Sequence, residues 1–423
     1  MPFRPAAIAV STTGLCALAL TVAAPMAQAV TAGGGTHPTL WVSAATVTGG
    51  NGKSCAEPGF STVQAAVTAA PAGATVKVCG GTYIEQVEIT KSLTLTGTNG
   101  TVTLALPASP QDSTACASTP TSQYGVDVCG HISVTLSNLV IHSAWPSGTC
   151  NDDINAVFVS GGATLDFAHS AVTAAGAVPI NGCQGGIGVL VTNGQLKMSD
   201  AAVSGYQKNG ITIKNVGASA TIDNVKVTGA GPTPLIAQNG IEIAEGAWGS
   251  VNGSTVSGNE CDHPSCGPDS INQSQSAGVL FYDAAPGSTV SHSTARGNDM
   301  GVYFAGASAS QTGVSITNDT LKNNRYEDVC LDQGKTKITG SVLRGGKVAL
   351  QVIQYKGQTA GIKVAASHDT IGPAGVDAVQ IYSDENAADV HGSVTISYAA
   401  INGSIANNSP AAAPVKLFVS HIS

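Results

Sequence analysis

One short motif recurs along most of this sequence. It places apolar residues around a polar residue or Gly, and it reads IDNVKVTG at 222–229, VNGSTVSG at 251–258 and ITNDTLKN at 316–323. Its third position returns at Asn138, His169, Asp200, Asn224, Gly253, His292, Asn318, Gly340, His368 and Tyr398. The spacing falls within the period of roughly 20–50 residues that is typical of repeat architectures. Because each unit consists of short β-type runs, the sequence predicts an all-β, single-stranded parallel β-helix solenoid.

Composition agrees with this fold, since only 10% of residues are charged, 4% are aromatic and 51 are Gly. β-branched residues favour strands, and Gly supplies the turns between them. The core of a solenoid grows along its axis, so 423 residues need no second core. We predict a signal peptide at 1–29, an N-terminal leader at 30–58 and one β-helix domain at 59–423.

The segment 1–29 has the pattern of a secretory signal. Arg4 provides the positive charge, an apolar run extends from Ile8 to Val22, and Ala27-Gln28-Ala29 forms a small-residue cleavage site. We therefore predict a secreted, extracellular protein. The remaining chain has 17 basic and 26 acidic side chains, which argues against nucleic acid and anionic lipid as partners. No other apolar stretch is long enough to span a membrane, and we expect a monomer.

Export permits disulfides, and nine cysteines lie outside the signal. Pairing neighbours along the chain gives Cys55–Cys79, Cys116–Cys129, Cys150–Cys183 and Cys261–Cys266, with Cys330 left over. Sequence alone does not fix this connectivity. Zinc binding is the alternative, but the cysteines are scattered and form no CxxC pair.

The segment 59–97 begins with an amphipathic helix, in which Phe60, Val63 and Val67 share one face and Ser61 or Thr62 caps the start. Short alternating strands follow. This segment resembles the start of secreted pectin lyase-like β-helix proteins, including pectin methylesterases. The resemblance implies a right-handed β-helix whose open end is covered by the helix.

A second recurrent strand begins with Gly-Val or Gly-Ile, and its middle residue should point outward. The predicted outward column is Phe158, Leu190, Thr212, Glu242, Leu280, Tyr303, Cys330, Gln351 and Gln380, with Lys214, Tyr282, Asp332 and Tyr382 one step further along. Four insertions lie beside it, at 143–155, 174–186, 230–239 and 259–277. Aromatic and hydrogen-bonding groups together suit a sugar. We predict that Phe158, Thr212, Tyr282, Tyr303 and Gln380 bind a polysaccharide or cell-wall glycan. The alternative is that the loops cover the column and form a satellite core.

Glu242 is the first candidate catalytic residue, because Lys214 lies about one coil, or roughly 4.8 Å, away and would favour its ionised form. Asp152 and Asp153 in the first insertion are the second candidates. The alternative is an exposed salt bridge between coils. Loop acids such as Glu260, Asp262 and Glu327 make calcium a possible ligand, without a ligand set that the sequence identifies.

Known catalytic motifs of related folds do not carry over to this chain. The paired aspartates of pectin methylesterases are absent, and Lys208 occupies the place of one acid. Asn151-Asp152-Asp153 partly resembles a polygalacturonase motif, but the remaining motifs are missing. Two hypotheses therefore stand: a secreted lyase, hydrolase or esterase acting on polysaccharide, and a non-catalytic secreted or cell-surface β-helix that binds glycans or has a structural role.

Overall fold

The computed structural model describes residues 37–44, 52–114, 116, 123–145, 150, 154–268, 273–306, 313–332, 334–354, 361–383, 391–411 and 414–423. The compact unit Pro38–Ser423 is built almost entirely of parallel strands stacked coil on coil, which confirms the predicted β-helix. In the described part of the chain, no helix is both long enough and apolar enough to cross a membrane.

Each coil contributes strands to three faces. Face 1 is a separate sheet of 12 strands. Its strands are β3 (Val87–Ile89), β5 (Gln123–Cys129), β8 (Ile154–Ser160), β11 (Ile187–Thr192), β14 (Asn209–Lys214), β17 (Asn239–Ala244), β20 (Ala277–Tyr282), β23 (Met300–Ala305), β26 (Glu327–Leu331), β29 (Val348–Gln354), β32 (Asp377–Ser383) and β35 (Ile405–Asn407).

Faces 2 and 3 together form a sheet of 24 strands. Face 2 contains β1 (Thr39–Val42), β2 (Thr75–Ile84), β4 (Leu93–Ala105), β6 (Ser133–Ser137), β9 (Thr164–Ala168), β12 (Gln195–Ser199), β15 (Ser219–Asp223), β18 (Trp248–Asn252), β21 (Thr289–Ser291), β24 (Val314–Thr317), β27 (Lys335–Thr339), β30 (Lys363–Ser367), β33 (Gly392–Ser397) and β36 (Val415–Ser420). The long strands β2 and β4 continue from face 2 into face 3.

Face 3 contains the strands that follow those of face 2 along the chain. They are β7 (Val140–Trp145), β10 (Ala171–Ala177), β13 (Ala202–Ser204), β16 (Lys226–Thr233), β19 (Thr255–Cys261), β22 (Thr294–Arg296), β25 (Thr320–Lys322), β28 (Val342–Arg344), β31 (Thr370–Ile371) and β34 (Ala400–Ile401). The predicted insertions follow directly from strands of this face or overlap their ends, so they connect face 3 to face 1.

The N-terminal end is covered by a short helix, α1 (Val63–Ala69). Thr62 is its N-cap, and the Thr62 side chain accepts a hydrogen bond from the Ala65 amide. The Glu85 carboxylate accepts bonds from the amides of Val63 and Gln64, both at 2.8 Å. Val63 and Val67 are buried against the first coils, as the sequence predicts. Strand β1 pairs with β2, so the sheet already begins within the segment predicted as a leader.

The recurrent motif forms the turn between faces 2 and 3. All ten of its third positions have positive φ, from 49° at His169 to 67° at Gly340. Asn, Asp and Gly tolerate this left-handed conformation better than other residues. The predicted turn column is therefore present, and it sets where each coil bends.

The residue after each left-handed position forms a ladder inside the turn. Val225 donates its amide hydrogen to the Ser254 hydroxyl, Ser254 donates to Ser293, and Ser293 donates to the Asp319 carboxylate. In the same way, the Asp319 amide donates to the Ser341 hydroxyl, and the Ser341 amide donates to the Asp369 carboxylate. Because buried backbone donors need partners, this ladder stabilises the contact between successive coils.

A second internal ladder lies between faces 3 and 1. The Asn259 side chain donates to Asn298 at 2.8 Å, and the Asn298 side chain donates to Asn324 at 3.1 Å. The hydroxyl of Tyr206 donates to Asn259. These stacked asparagines were not predicted from the sequence.

The four predicted disulfides are all present: Cys55–Cys79, Cys116–Cys129, Cys150–Cys183 and Cys261–Cys266. Cys330 takes part in none of them and is buried.

Candidate functional site

The outward column of face 1 has the register that the sequence predicts. Phe158 pairs with Leu190, Leu190 with Thr212, Thr212 with Glu242, and Glu242 with Leu280. The column continues through Tyr303, Cys330, Gln351 and Gln380. It also extends back to Asp127, which pairs with Phe158 and is fully buried. We call this series the central row of face 1.

Part of the central row is covered, as the satellite-core alternative predicts. Phe158, 2% exposed, packs against Tyr124 and Leu190. Further along, Cys330 packs with Met300 and Ile353 in a second small cluster. Phe158 therefore presents no open surface to a ligand. Thr212 is also buried, and its hydroxyl accepts a hydrogen bond from Asn209.

Between the two covered parts lies a more open stretch around Glu242, which is half-buried. The Asn209 amide donates to the Glu242 carboxylate and, at 3.0 Å, to Thr212. Asn239 in turn donates to Asn209 at 3.3 Å, so the Asn209 side chain is fixed from two sides. This network orients Glu242 outward on β17.

Two lysines act on Glu242. Lys208 lies one coil before it and donates to the Ala237 carbonyl at 2.8 Å, and Lys214 lies at the end of the neighbouring strand. Burial raises the pKa of Glu242 above its ordinary value, and the charges of Lys208 and Lys214 only partly offset this rise. Burial also lowers the pKa of Lys208. The expectation that Lys214 keeps Glu242 ionised did not take this desolvation into account.

Sequence reasoning missed Lys208 and Asn209 as partners of Glu242. The signal was present, because Asn209-Gly210-Ile211 and Asn239-Gly240-Ile241 repeat the same tripeptide one coil apart. Such a repeat places equivalent side chains on adjacent strands, where Asn209 and Asn239 are Cα partners.

Two tyrosines on the edge of face 1 are open to solvent. Tyr282, 45% exposed, pairs with Ala244, which lies two residues after Glu242 on β17. Tyr382, 37% exposed, lies further along on β32. Gln380, which precedes Tyr382 on the same strand, is half-buried, and its side-chain amide donates to Asp377 at 3.4 Å. Open aromatic, amide and ionisable groups therefore lie on both sides of the covered cluster around Cys330.

Tyr303 is half-buried, and its hydroxyl donates to the Asp332 carboxylate at 2.8 Å. Asp332 is 5% exposed, and burial raises its pKa to about 8 despite this hydrogen bond. Tyr303 and Asp332 thus form a linked pair further along face 1 than Glu242.

The acids proposed for calcium do not assemble into a metal site in the part of the chain that the structure describes, where no group of three or more His, Cys, Asp or Glu side chains is placed to hold a metal ion. Asp262 pairs with Arg325. Burial raises the pKa of Glu327 to about 8. Asp152 and Asp153 lie outside the described residues.

The fold agrees with comparisons to known proteins. A family model described as "Right handed beta helix region" matches residues 180–371. This match and the stacked parallel strands agree on the same fold, a right-handed parallel β-helix.

Three solved structures of different proteins illustrate what this chain is similar to. Pectate lyase Pel9A is 17% identical, with coverage of 89% of this chain and 79% of that one and a TM-score of 0.42. The A-module of the mannuronan C-5 epimerase AlgE4 from Azotobacter vinelandii is 11% identical, with 85% and 91% coverage and a TM-score of 0.45. XylC in complex with xylose is 10% identical, with 90% and 86% coverage and a TM-score of 0.47. No curated protein matches the chain by sequence.

Proposed function

We propose that this is a secreted protein that binds a polysaccharide chain along the open part of face 1, with Glu242 as its acid–base group. The observation that carries the proposal is the setting of Glu242. Its carboxyl group points outward, accepts a hydrogen bond from Asn209 and has a raised pKa. Lys208 and Lys214 act on it electrostatically, and the exposed Tyr282 lies on the next coil. A perturbed acid at an open surface is a candidate for proton transfer.

The neighbouring groups suit a sugar ligand. A tyrosine ring offers an apolar face and a polar tip, and amide side chains such as Gln380 pair with hydroxyl groups. Tyr282, Tyr303, Tyr382 and Gln380 therefore serve as the proposed contacts. Thr212 and Asn209 support Glu242 from behind, and Lys214 supplies a positive charge at the edge. Phe158 has no place in this set because it is covered.

Export of the protein rests on the signal pattern at 1–29 and on four disulfides, which persist in oxidising compartments. The second candidate function is non-catalytic glycan binding. It is favoured by the covered parts of the central row and by the hydrogen bonds that already hold Glu242.

The test is incubation of the mature protein with a panel of plant, algal and bacterial polysaccharides, with calcium and with chelator. Unsaturated products, new reducing ends and released ester groups are measured together. We expect Glu242→Gln to abolish turnover while its melting curve stays unchanged. Glu57→Gln, which changes an exposed acid before helix α1, is the matched control and should keep full activity.

The outcomes separate the two functions. Activity retained in Glu242→Gln would exclude this residue as the acid–base group. Saturable binding without any product would support the binding protein. Absence of both binding and product from every polysaccharide, with a folded sample, would reject the whole proposal.

A further inference from the structure

A groove of about 530 Å³ lies on the outside of face 2, well away from the central row of face 1. It is formed by β24, β27, β30 and β33. Three lysines line it: Lys335 and Lys337 on β27, and Lys363 on β30. All three side chains are exposed.

The register brings these charges close together. Lys335 and Lys363 are Cα partners on adjacent coils, so about 4.8 Å separates their backbones. Lys337 lies two residues further along β27 and points to the same side. Lys416 extends the series, because it pairs with Ser393 at the far end of the groove. Like charges placed directly opposite each other destabilise a sheet.

Nothing in the described part of the chain neutralises the three charges, because no carboxylate there lies within ion-pair distance of Lys335, Lys337 or Lys363. The chain as a whole carries a net charge of −8, so three adjacent lysines with no ion-pair partner among the described residues contrast with its overall acidity. A bound anion would remove the repulsion between the lysines, and its binding would stabilise the folded protein.

The rest of the groove indicates what kind of anion fits. Ser315, Ser393 and Thr395 line it with hydroxyl groups. Gly287, at one end, accepts a hydrogen bond at 3.1 Å from the indole of Trp248, whose side chain is 37% exposed. The hydroxyls and positive charges of the groove, with the partly exposed indole of Trp248 beside its Gly287 end, match a ligand that has sugar rings, hydroxyl groups and negative charges.

We propose that this groove is a second glycan-binding site, specific for a polysaccharide that carries carboxylate groups. A lysine ammonium is compact and strongly hydrated, and a carboxylate matches it better than a weakly hydrated sulfate ester does. The acidic remainder of the chain disfavours nucleic acid. The site shares no residue with the face 1 site, so either proposal can fail without the other.

The test compares two triple variants with the same loss of charge. Lys335→Gln/Lys337→Gln/Lys363→Gln removes the groove cations, and Lys197→Gln/Lys226→Gln/Lys322→Gln removes three cations elsewhere on faces 2 and 3. Binding of polygalacturonate is measured by calorimetry at low salt, with fully methyl-esterified polymer as the neutral comparison. Wild type and control should bind, and the groove variant should lose about tenfold in affinity, since several exposed ion pairs together reach that size.

Polymer should also raise the melting temperature of the wild type and control but not of the groove variant. Glu57→Gln, which changes an exposed acid outside both sites, should bind like the wild type. Absence of wild-type binding, equal losses in the two triple variants, or equal binding of the neutral polymer would overturn the proposal. Tighter binding of dextran sulfate or single-stranded DNA than of polygalacturonate would overturn the choice of ligand.

Discussion

The ladder inside the turn between faces 2 and 3 makes a quantitative prediction at Asp319. This carboxylate is 1% exposed and accepts two backbone hydrogen bonds, from Ser293 at 2.7 Å and from Thr317 at 2.9 Å. Asp319→Ala leaves both donors without a partner. A buried, unsatisfied donor costs about 1–3 kcal/mol, and the Thr317 amide is only partly buried, so we expect a loss of about 2–4 kcal/mol in the free energy of unfolding.

The repeats of the chain provide the control. Ser occupies the position of Asp319 at Ser254, Ser293 and Ser341, and there its hydroxyl accepts the amide of the preceding coil. Asp319→Ser should therefore keep the bond from Ser293 and lose the bond from Thr317. We expect it to cost about half as much as Asp319→Ala.

Urea unfolding gives the free energies, and native-state hydrogen exchange localises the effect. Exchange is needed because a solenoid can unfold in segments, so that one midpoint does not describe every coil. In Asp319→Ala the amides of Ser293 and Thr317 should both lose protection, and in Asp319→Ser only that of Thr317. Equal stability of the two variants, or full protection of Ser293 in Asp319→Ala, would refute the reasoning.

Two further predictions concern other buried groups. Asn298→Ala should cost about 2–4 kcal/mol, because the backbone amide and side chain of Asn259 lose their acceptor and Asn324 loses one of its two donors. Urea unfolding measures this, and exposed Asn408→Ala is the control, so equal effects would contradict it. Asp332, with its pKa raised to about 8, keeps a proton that the unfolded chain releases near pH 4. Its contribution to stability should therefore fall, by at most about 1.4 kcal/mol per pH unit, as the pH rises from about 4 to 8. Asp332→Asn should flatten this part of the dependence of melting temperature on pH, and an unchanged profile would contradict the assignment.

Much of the fold was predictable because the repeat has a strict local cause. A left-handed residue is needed once per coil, and Asn, Asp, His or Gly at that place marks the turn in the sequence. Once the turns were located, strict alternation along each strand gave the outward column from Phe158 to Gln380. The disulfides match the pairing of successive cysteines, although the sequence left other pairings open.

The exposure and protonation of the candidate site residues were harder to predict. Whether an outward residue is exposed depends on what packs over it, and loop conformation leaves no periodic signal in the sequence. Phe158 was therefore predicted to contact a ligand, whereas the structure buries it. The raised pKa of Glu242 depends on desolvation, which a sequence does not display. The lysine groove was missed because Lys335 and Lys363 are distant in sequence and meet only through the register of β27 and β30.

The left-handed turn column limits where substitutions and insertions can alter this molecule. The turn fixes the bend between faces 2 and 3 in every coil, while the length of the coils varies along the chain. Differences in length must therefore be accommodated elsewhere in each coil, in the connections from face 3 to face 1 and from face 1 to face 2. Outward residues on faces 1 and 2 are separated by a shared apolar interior. Substitutions can accordingly alter one surface without altering the other, and two ligand specificities can evolve independently on the two faces.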